Sequence, residues 1–236
     1  MNTKDSAKQR LIQAAIEIFG RDGFHAASNR HLANTAKVNL ALISYHFGGK
    51  EGLYLAVFEH IAEQITTRFS AVGDEIEQQI QHVKTLDDMT VPRQCIHIIE
   101  QILFTFVDML SSPQTAPWAK LILREQQTPT KAFQILYEGP WQYILTLLAQ
   151  PIALALGKSK SHAQVKLMAL NLMGQVQILR SARATIQAFM DWESIEKKQT
   201  DLIKKQLHQY LVVLLNTDFT QIKSSTFTIN YTTSPQ

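Results

Sequence analysis

The stretch VNLALISYHFGGKE, residues 38–51, predicts one short helix that stops abruptly. Asn39 can cap its N-terminus, and the paired glycines Gly48-Gly49 end it directly after Phe47. The apolar part is too short for an ordinary core helix, and its C-terminal tip, Ser44-Tyr45-His46, is polar. This mixture indicates that one face of the helix packs inside the protein while the other is presented to a partner.

A second short helix precedes this one. Ser28 is a favourable N-cap, and the helix then runs to about Ala36 with its apolar residues inward. Only Lys37-Val38 separates it from the next helix. Two short helices joined by so tight a turn are typical of the helix-turn-helix unit. Longer helices are predicted on either side, from 7 to 21 and from Lys50 onward.

The third helix has two faces when its residues are placed at 100° per residue. The inward face is predicted to carry Leu40, Ile43, Ser44 and Phe47. The outward face is predicted to carry Ala41, Leu42, Tyr45 and His46. Small apolar side chains suit thymine methyl groups and the two larger polar ones suit phosphates, as in a helix laid into a major groove. Lys50 and Arg30 would add contacts, although on spacing alone a merely solvated helix is an equal alternative.

The positive charge of the chain is concentrated in this region. Residues 1–54 hold seven Lys and Arg against four Asp and Glu, and this excess of three equals the formal net charge of the whole chain, +3. A basic N-terminal segment on a neutral body fits a head that binds a polyanion.

Several classes of protein and site find little support in the sequence. Cys95 is the only cysteine, so an intramolecular disulfide is impossible. No signal core or membrane span is recognisable, and we expect a soluble, cytoplasmic protein. The eight histidines are scattered, with no pair at i,i+4 and no His-Glu-x-x-His. We therefore expect no metal, no cofactor and no catalytic residues.

The N-terminal region resembles the DNA-binding domain of TetR-type transcriptional repressors. The resemblance is carried by RLIQAAIEIFGRDGF, SNRHLANTA and VNLALISYHFGGKEGLYLAVF, within residues 10–58. It implies that the family's DNA-contacting positions fall on Asn29, Arg30, Leu40, Ala41, Leu42, Ser44, Tyr45, His46 and Lys50.

Three features depart from that family pattern. The usual turn glycine is Lys37, so the turn must tolerate a side chain. A contacting tyrosine is replaced by Ser44, which has a shorter reach. Leu40 and Leu42 replace polar residues, so base readout is expected to depend more on apolar contacts and DNA shape.

The rest of the chain is also predicted to be helical, in segments 74–86, 93–111, 116–127, 131–156, 162–190 and 194–215. Pro140 and Pro151 should kink or divide the segment 131–156. The motifs LILREQQTPTKAFQILYEGPW and LMALNLMGQVQILRSAR resemble the CecR-like subgroup. The predicted fold is all-α, with a three-helix helix-turn-helix domain (1–52), a larger helical ligand-binding and dimerisation domain (53–216) and a polar tail (217–236).

The resemblance implies an inducer cavity and a dimer formed by the last long helices. Candidate ligand-binding residues, which mix aromatic and polar side chains, are Phe104, Trp118, Arg124, Glu125, Tyr137 and Trp141. Candidate dimer residues are the small Ala169 and Gly174 and the stripe Leu207, Leu211 and Leu214. An ordinary intramolecular core is the alternative for this second set.

The functional prediction is a ligand-responsive regulator, most simply a repressor, that binds a palindromic operator as a homodimer and is released by a small-molecule inducer. The alternative is a helical small-molecule-binding dimer whose head no longer binds DNA. An all-helical enzyme is a third possibility, but no acid, base or metal set is assembled in the sequence.

Overall fold

The computed structural model describes residues 3–87 and 90–216, and every regular element in them is helical. The polar tail predicted for 217–236 lies outside the described residues. The helices are α1 Thr3–Ala26, α2 Asn29–Ala36, α3 Ala41–Phe47, α4 Lys50–Val83, α5 Val91–Ser111, α6 Trp118–Gln127, α7 Lys131–Leu136, α8 Gln142–Ala155, α9 Ala163–Ser181, α10 Arg183–Phe189 and α11 Lys197–Asn216. A short 3-10 turn, Pro113–Thr115, precedes α6, and a π turn, Tyr137–Trp141, joins α7 to α8. The predicted all-α fold is confirmed.

The N-terminal head is formed by α1, α2, α3 and the start of α4. Its apolar centre contains Leu11, Phe19, Leu32 and Ile43, which are fully buried. Gly23, with a φ of 84°, interrupts α1 near its end, where the sequence predicted the helix to stop. The ring of Phe24 then returns to within 6.0 Å of the Phe19 ring, measured between centroids.

The larger C-terminal body is built around α5, which packs against α4, α8, α9 and α11. Buried residues such as Cys95, Ile99 and Phe106 recur around most of its circumference. A helix that is apolar on nearly all sides belongs inside a helical protein. Burial raises the pKa of the Cys95 thiol to about 11, so this cysteine is an inert core residue rather than a nucleophile.

Helix α4 joins the head to the body without a break. The separate helix predicted for 74–86 is wrong, because α4 continues through Gly73 to Val83. Gly73 is kept in the helix by packing: a Cβ there would lie 2.1 Å from the hydroxyl of Tyr143. The close approach of α8 therefore favours a glycine at this position, directly before the predicted start of a separate helix at 74.

The predictions for the two prolines and for a single helix over 162–190 have mixed outcomes. Pro140 lies in the π turn that divides 131–156 into α7 and α8, as expected. Pro151 lies inside α8 and does not divide it. The segment predicted as one helix over 162–190 is two, because Ala182 leaves helical geometry between α9 and α10. Within the described ranges no helix is long and apolar enough to cross a membrane.

Candidate DNA-binding surface and effector cavity

The tight turn between α2 and α3 is made by Lys37. Its φ of 52° and ψ of 51° are left-handed, and its N–H donates to the backbone oxygen of Asn34 at 3.1 Å. The N–H of Val38 donates to the oxygen of Ala33 at 3.0 Å. A left-handed backbone favours glycine, and a side chain there costs about 1 kcal/mol. The lysine therefore preserves the turn geometry and leaves its own side chain exposed.

Helix α3 is held on the head by its buried side. Ile43 is fully buried, and Leu42 and Phe47 pack partly buried against the core. The side chain of Asn39 accepts a hydrogen bond from the N–H of Ala41 at 2.9 Å, as expected for a cap. Burial of one isoleucine side chain contributes about 1.5–3 kcal/mol, so α3 has a fixed orientation.

The solvent face of α3 differs from the one predicted. The exposed residues are Leu40, directly before the helix, and Ala41, Ser44 and Tyr45 within it. The prediction that Leu40 and Ser44 face inward is wrong, and Leu42 and His46, which were predicted to face outward, are only partly exposed. Leu42 and Phe47 pack against the core, and the His46 ring lies 6.0 Å from the Phe47 ring, measured between centroids. Ser44 and Tyr45 therefore share one exposed surface.

The first turn of α2 presents the next two predicted contacts. Asn29 and Arg30 are both exposed and follow Ser28, whose hydroxyl accepts from the N–H of His31 at 3.1 Å. Serine caps of this kind stabilise a helix by about 1 kcal/mol. The cap therefore fixes the position from which the Arg30 side chain extends.

Lys50 has a structural role that its position in the sequence did not reveal. Its ammonium donates to the backbone oxygens of Phe24 and Ala27, each at 3.0 Å, and lies 4.6 Å from the centre of the Phe24 ring. These bonds satisfy carbonyl groups at and after the end of α1. Two of the three N–H donors are thus used inside the head, and the predicted phosphate contact of Lys50 stays a prediction.

A cavity of 220 Å³ opens in the body between α4, α5, α6, α9 and the π turn. Of the candidate ligand-binding residues, Trp118 and Trp141 line it. The other lining residues were not predicted from the sequence; they are Ile65, Met109, Leu110, Thr115, Ala119, Lys120, Ile122, Leu123, Gln177, Arg180 and Ser181. A usable signal was present, since Arg180 ends the otherwise uncharged run LMGQVQIL.

The other four ligand candidates do not line this cavity. Phe104 lies on α5 with the ammonium of Lys204 5.6 Å from its ring centre. Tyr137 is exposed, lies in a separate open groove and stacks on Phe133 with 5.8 Å between ring centroids. Arg124 and Glu125 are used in contacts within the fold. The structure therefore does not bring these four residues to the cavity, and their role in ligand binding stays a prediction.

Helix α6 connects the cavity to the head. On one side it carries cavity residues, and on the other Arg124 donates from Nη1 to the backbone oxygen of Phe19 in α1 at 2.9 Å. Glu125 is buried and accepts from the Tyr54 hydroxyl at 2.8 Å. Its second oxygen accepts from the Thr130 N–H and hydroxyl at 2.9 and 2.8 Å. Burial, with the hydrogen bond to Glu125, raises the pKa of Tyr54.

The predicted leucine stripe of α11 faces inward. Leu207 and Leu211 are buried and Leu214 is partly buried, while Ala169 on α9 is also in the core. The intramolecular alternative is therefore correct for these residues, whereas Gly174 has open space beside it. The exposed apolar side chains on or next to α9, α10 and α11 are Leu167, Leu170, Ile178, Phe189, Met190, Leu202, Tyr210 and Val213. Five of them line one open groove: Ile178, Phe189, Met190, Leu202 and Tyr210.

Among the residues that the structure describes, no group of three or more His, Cys, Asp or Glu side chains is placed so that it could hold a metal ion.

Comparison with known proteins places both parts of the chain. The family model for bacterial regulatory proteins of the tetR family matches residues 11–57, and that for the C-terminal domain of the HTH-type transcriptional dual regulator CecR matches 95–217. The CecR regulator of Shigella flexneri is 29% identical over 214 residues, which cover 89% of this chain and 92% of that protein.

Solved structures share the fold at low sequence identity. SCO4454, a TetR-family regulator of Streptomyces coelicolor, is similar with a TM-score of 0.57 at 15% identity, over 89% of this chain and 88% of that one. FadR of Bacillus subtilis, solved with stearoyl-CoA, is similar with a TM-score of 0.52 at 17% identity, over 86% of this chain and 97% of that one.

The matched families define a class: regulators of transcription with a helix-turn-helix head, and not enzymes. The chain belongs to the TetR family, in the group that carries the CecR-type C-terminal domain.

Proposed function

We propose that the chain is a ligand-responsive repressor that binds a palindromic operator as a homodimer in the cytoplasm and is released by a small-molecule inducer. The observation that carries DNA binding is the mounting of α3. Ile43 is fully buried, while Ser44 and Tyr45 on the opposite side are exposed. A rigid short helix after a tight turn is the element that such proteins place in the major groove.

The homodimer is supported by the apolar surface of the last helices. Leu170 and Ile178 on α9 are 53% and 47% exposed, and Leu202 on α11 is 51% exposed. Ile178 and Leu202 line one open groove together with Phe189 and Tyr210, and exposed apolar surfaces of this kind mark interaction sites. A two-fold dimer would present two α3 helices, so the operator should have half-sites about one helical turn, roughly 34–36 Å, apart.

The response to a ligand is supported by the position of α6. Trp118 and Ile122 line the cavity, and Arg124 on the same helix holds α1 of the head. A ligand that displaced α6 would shift the position of the head. It can change DNA affinity only by the difference between its own affinities for the two arrangements.

The DNA-binding test is selection of bound duplexes from a random pool by the full chain, followed by titration of the selected DNA at several salt concentrations. We expect a palindrome and an affinity that falls steeply with salt. Tyr45→Ala should weaken binding, whereas Tyr137→Ala, which removes an exposed tyrosine of the body, should not. Failure to select any duplex at low salt would support the alternative, a ligand-binding dimer without DNA binding.

The mode of regulation needs a separate measurement. The similar protein of Shigella flexneri is named a dual regulator, so repression and activation both have to be scored. A reporter driven by the selected operator should rise when the chain is deleted and when inducer is present. A reporter that falls on deletion would contradict repression without affecting the DNA-binding proposal.

A further inference from the structure

The cavity beside α6 has an unusual balance of charge. Most of its wall is apolar, with side chains such as Met109, Trp118 and Ile122. Its charged lining residues are Lys120 and Arg180, and none of the described lining residues is acidic. A neutral or cationic ligand would gain nothing from this balance, whereas an anion would.

Arg180 is a partly buried cation without an acidic partner. Its Nη2 donates to the backbone oxygen of Ser112 at 2.8 Å and to the hydroxyl of Thr115 at 3.0 Å. Its Nε is buried and has no hydrogen-bond partner in the described part of the chain. None of the salt bridges between described residues includes it. Because both acceptors are neutral, they do not compensate the positive charge of Arg180.

A second arginine adds to this excess. Nη1 of Arg183 is also buried without a partner among the residues that the structure describes. Burial, and then the nearby charge of Arg183, lower the pKa of Arg180. A guanidinium nevertheless stays protonated in proteins. Two neighbouring, partly buried cations are expected to attract an anion, because charge that is withdrawn from water without a partner is costly.

Trp141 supplies a further unpaired donor on the same wall. Its indole N–H is buried and has no partner within the described ranges, while its ring stacks on Phe106 with centroids 6.1 Å apart and planes 9° apart. Buried indole N–H groups usually have an acceptor. The cavity thus combines an apolar wall with donors and positive charge, but its lining includes no acidic acceptor.

We propose that the effector is a small carboxylic acid with an apolar body, whose carboxylate pairs with Arg180 and whose body lies against Trp118 and Met109. The Trp141 N–H is the second donor. This inference rests on the proposed ligand response and assigns the chemical class of the ligand. The cavity of 220 Å³ is below the roughly 300 Å³ at which sites for drug-sized ligands begin, which favours an aromatic or medium-chain acid.

The test measures binding of benzoate and octanoate to the full chain by calorimetry, without DNA. Benzamide and octanamide are the uncharged controls of equal shape, and octylamine is the cationic control. We expect each acid to bind at least about tenfold more tightly than its amide, since a charge-assisted pair is lost in the amide. The amine should bind most weakly.

Two variants locate the anion. Arg180→Gln should weaken acid binding about tenfold or more and leave amide binding unchanged. Lys166→Gln removes an exposed positive charge from the same helix, α9, and should change neither. Trp141→Phe keeps an aromatic ring, removes the N–H and should weaken acid binding by a smaller factor. Thermal unfolding of each variant establishes that it is folded.

Two results would overturn the inference: equal affinity for acid and amide in the unaltered chain, or no binding of either acid. If Arg180→Gln does not fold, the inference is still tested by the ratio of acid to amide affinity in the unaltered chain and by the acid affinity of Trp141→Phe. Failure of the acids to bind while the chain still binds its operator removes only this inference. Acids that bind but leave operator affinity unchanged would instead contradict the proposed release by ligand.

Discussion

Arg124 donates from Nη1 to the backbone oxygen of Phe19 at 2.9 Å, a bond between residues 105 positions apart in the sequence. It fastens α6, which forms a wall of the cavity, to α1 of the head. The adjacent Gly23 leaves room for it, since a Cβ at that position would lie 2.5 Å from Nη1 of Arg124. A side chain of the body thus completes the hydrogen bonding of the head.

Arg124→Gln should loosen this connection. We expect the free energy of unfolding to fall by about 1 kcal/mol, because a charge-assisted bond is lost at a site with partial solvent access. We also expect a smaller effect of ligand on DNA affinity. Denaturant unfolding and DNA titration with and without effector measure both quantities. Gln126→Ala, at an exposed position of the same helix that does not line the cavity, is the control, and equal effects of the two changes would contradict the role of Arg124.

Tyr54 should make stability depend on alkaline pH. Its pKa is raised in the folded state by burial and by Glu125, so the folded protein retains a proton that the unfolded chain releases near pH 10. The stability from this group is fully present below the unfolded pKa and is lost as pH rises above it toward the folded pKa. Denaturant unfolding from pH 8 to 11 should show a steeper loss for the unaltered chain than for Tyr54→Phe. Parallel curves would contradict this assignment.

Lys37→Gly should stabilise the head. The residue has a φ of 52° and a ψ of 51°, and glycine removes a strain of about 1 kcal/mol, partly offset by its greater freedom in the unfolded chain. We expect a small rise in melting temperature, measured by thermal unfolding. Lys37→Ala keeps the strained backbone and removes the same charge. It should not raise the melting temperature, and an equal rise in both variants would show that charge rather than backbone geometry is responsible.

Replacement of Lys50 should affect mainly stability, whereas replacement of Arg30 should affect mainly DNA binding. Lys50→Ala removes two bonds to carbonyls of the head and should lower the free energy of unfolding by about 1–3 kcal/mol. Arg30→Ala should leave stability nearly unchanged and reduce the slope of log affinity against log salt by about one. Unfolding and salt-dependent DNA titrations of both variants distinguish them. If the slope of log affinity against log salt fell by one unit in Lys50→Ala and did not change in Arg30→Ala, Lys50 rather than Arg30 would contact a phosphate.

Ile178→Glu should separate the proposed dimer. Ile178 is 47% exposed on α9, so a charged residue there is tolerated in the folded protomer but is costly in an apolar interface. We expect sedimentation to show a monomer and DNA affinity to fall. Glu17→Gln changes an exposed position on α1 of the head and should preserve the dimer. A variant that remains dimeric would place the interface elsewhere.

Much of the head could be predicted from local sequence because its signals are short-range. Ser28 and Asn39 cap helices through bonds to residues two or three positions away. Ile43 is buried as its apolar character indicates. Such signals predicted the helix-turn-helix pair, the all-α fold and the family. They were sufficient because caps, turns and apolar periodicity act over a few residues.

The remaining features depend on contacts between residues distant in sequence. The exact rotation of α3, which turns Ser44 outward and His46 partly inward, is set by the core beneath it. The ammonium of Lys50 is bound by carbonyls 23 and 26 positions earlier. The helical position 73 is occupied by glycine, where a Cβ would meet the hydroxyl of Tyr143, 70 positions later. The sequence by itself determined which segments form helices and which family they belong to. Only the tertiary structure decided which polar groups are bound within the fold, because burial is a property of packing. It also decided which buried groups, such as Nε of Arg180 and the indole N–H of Trp141, have no partner among the described residues.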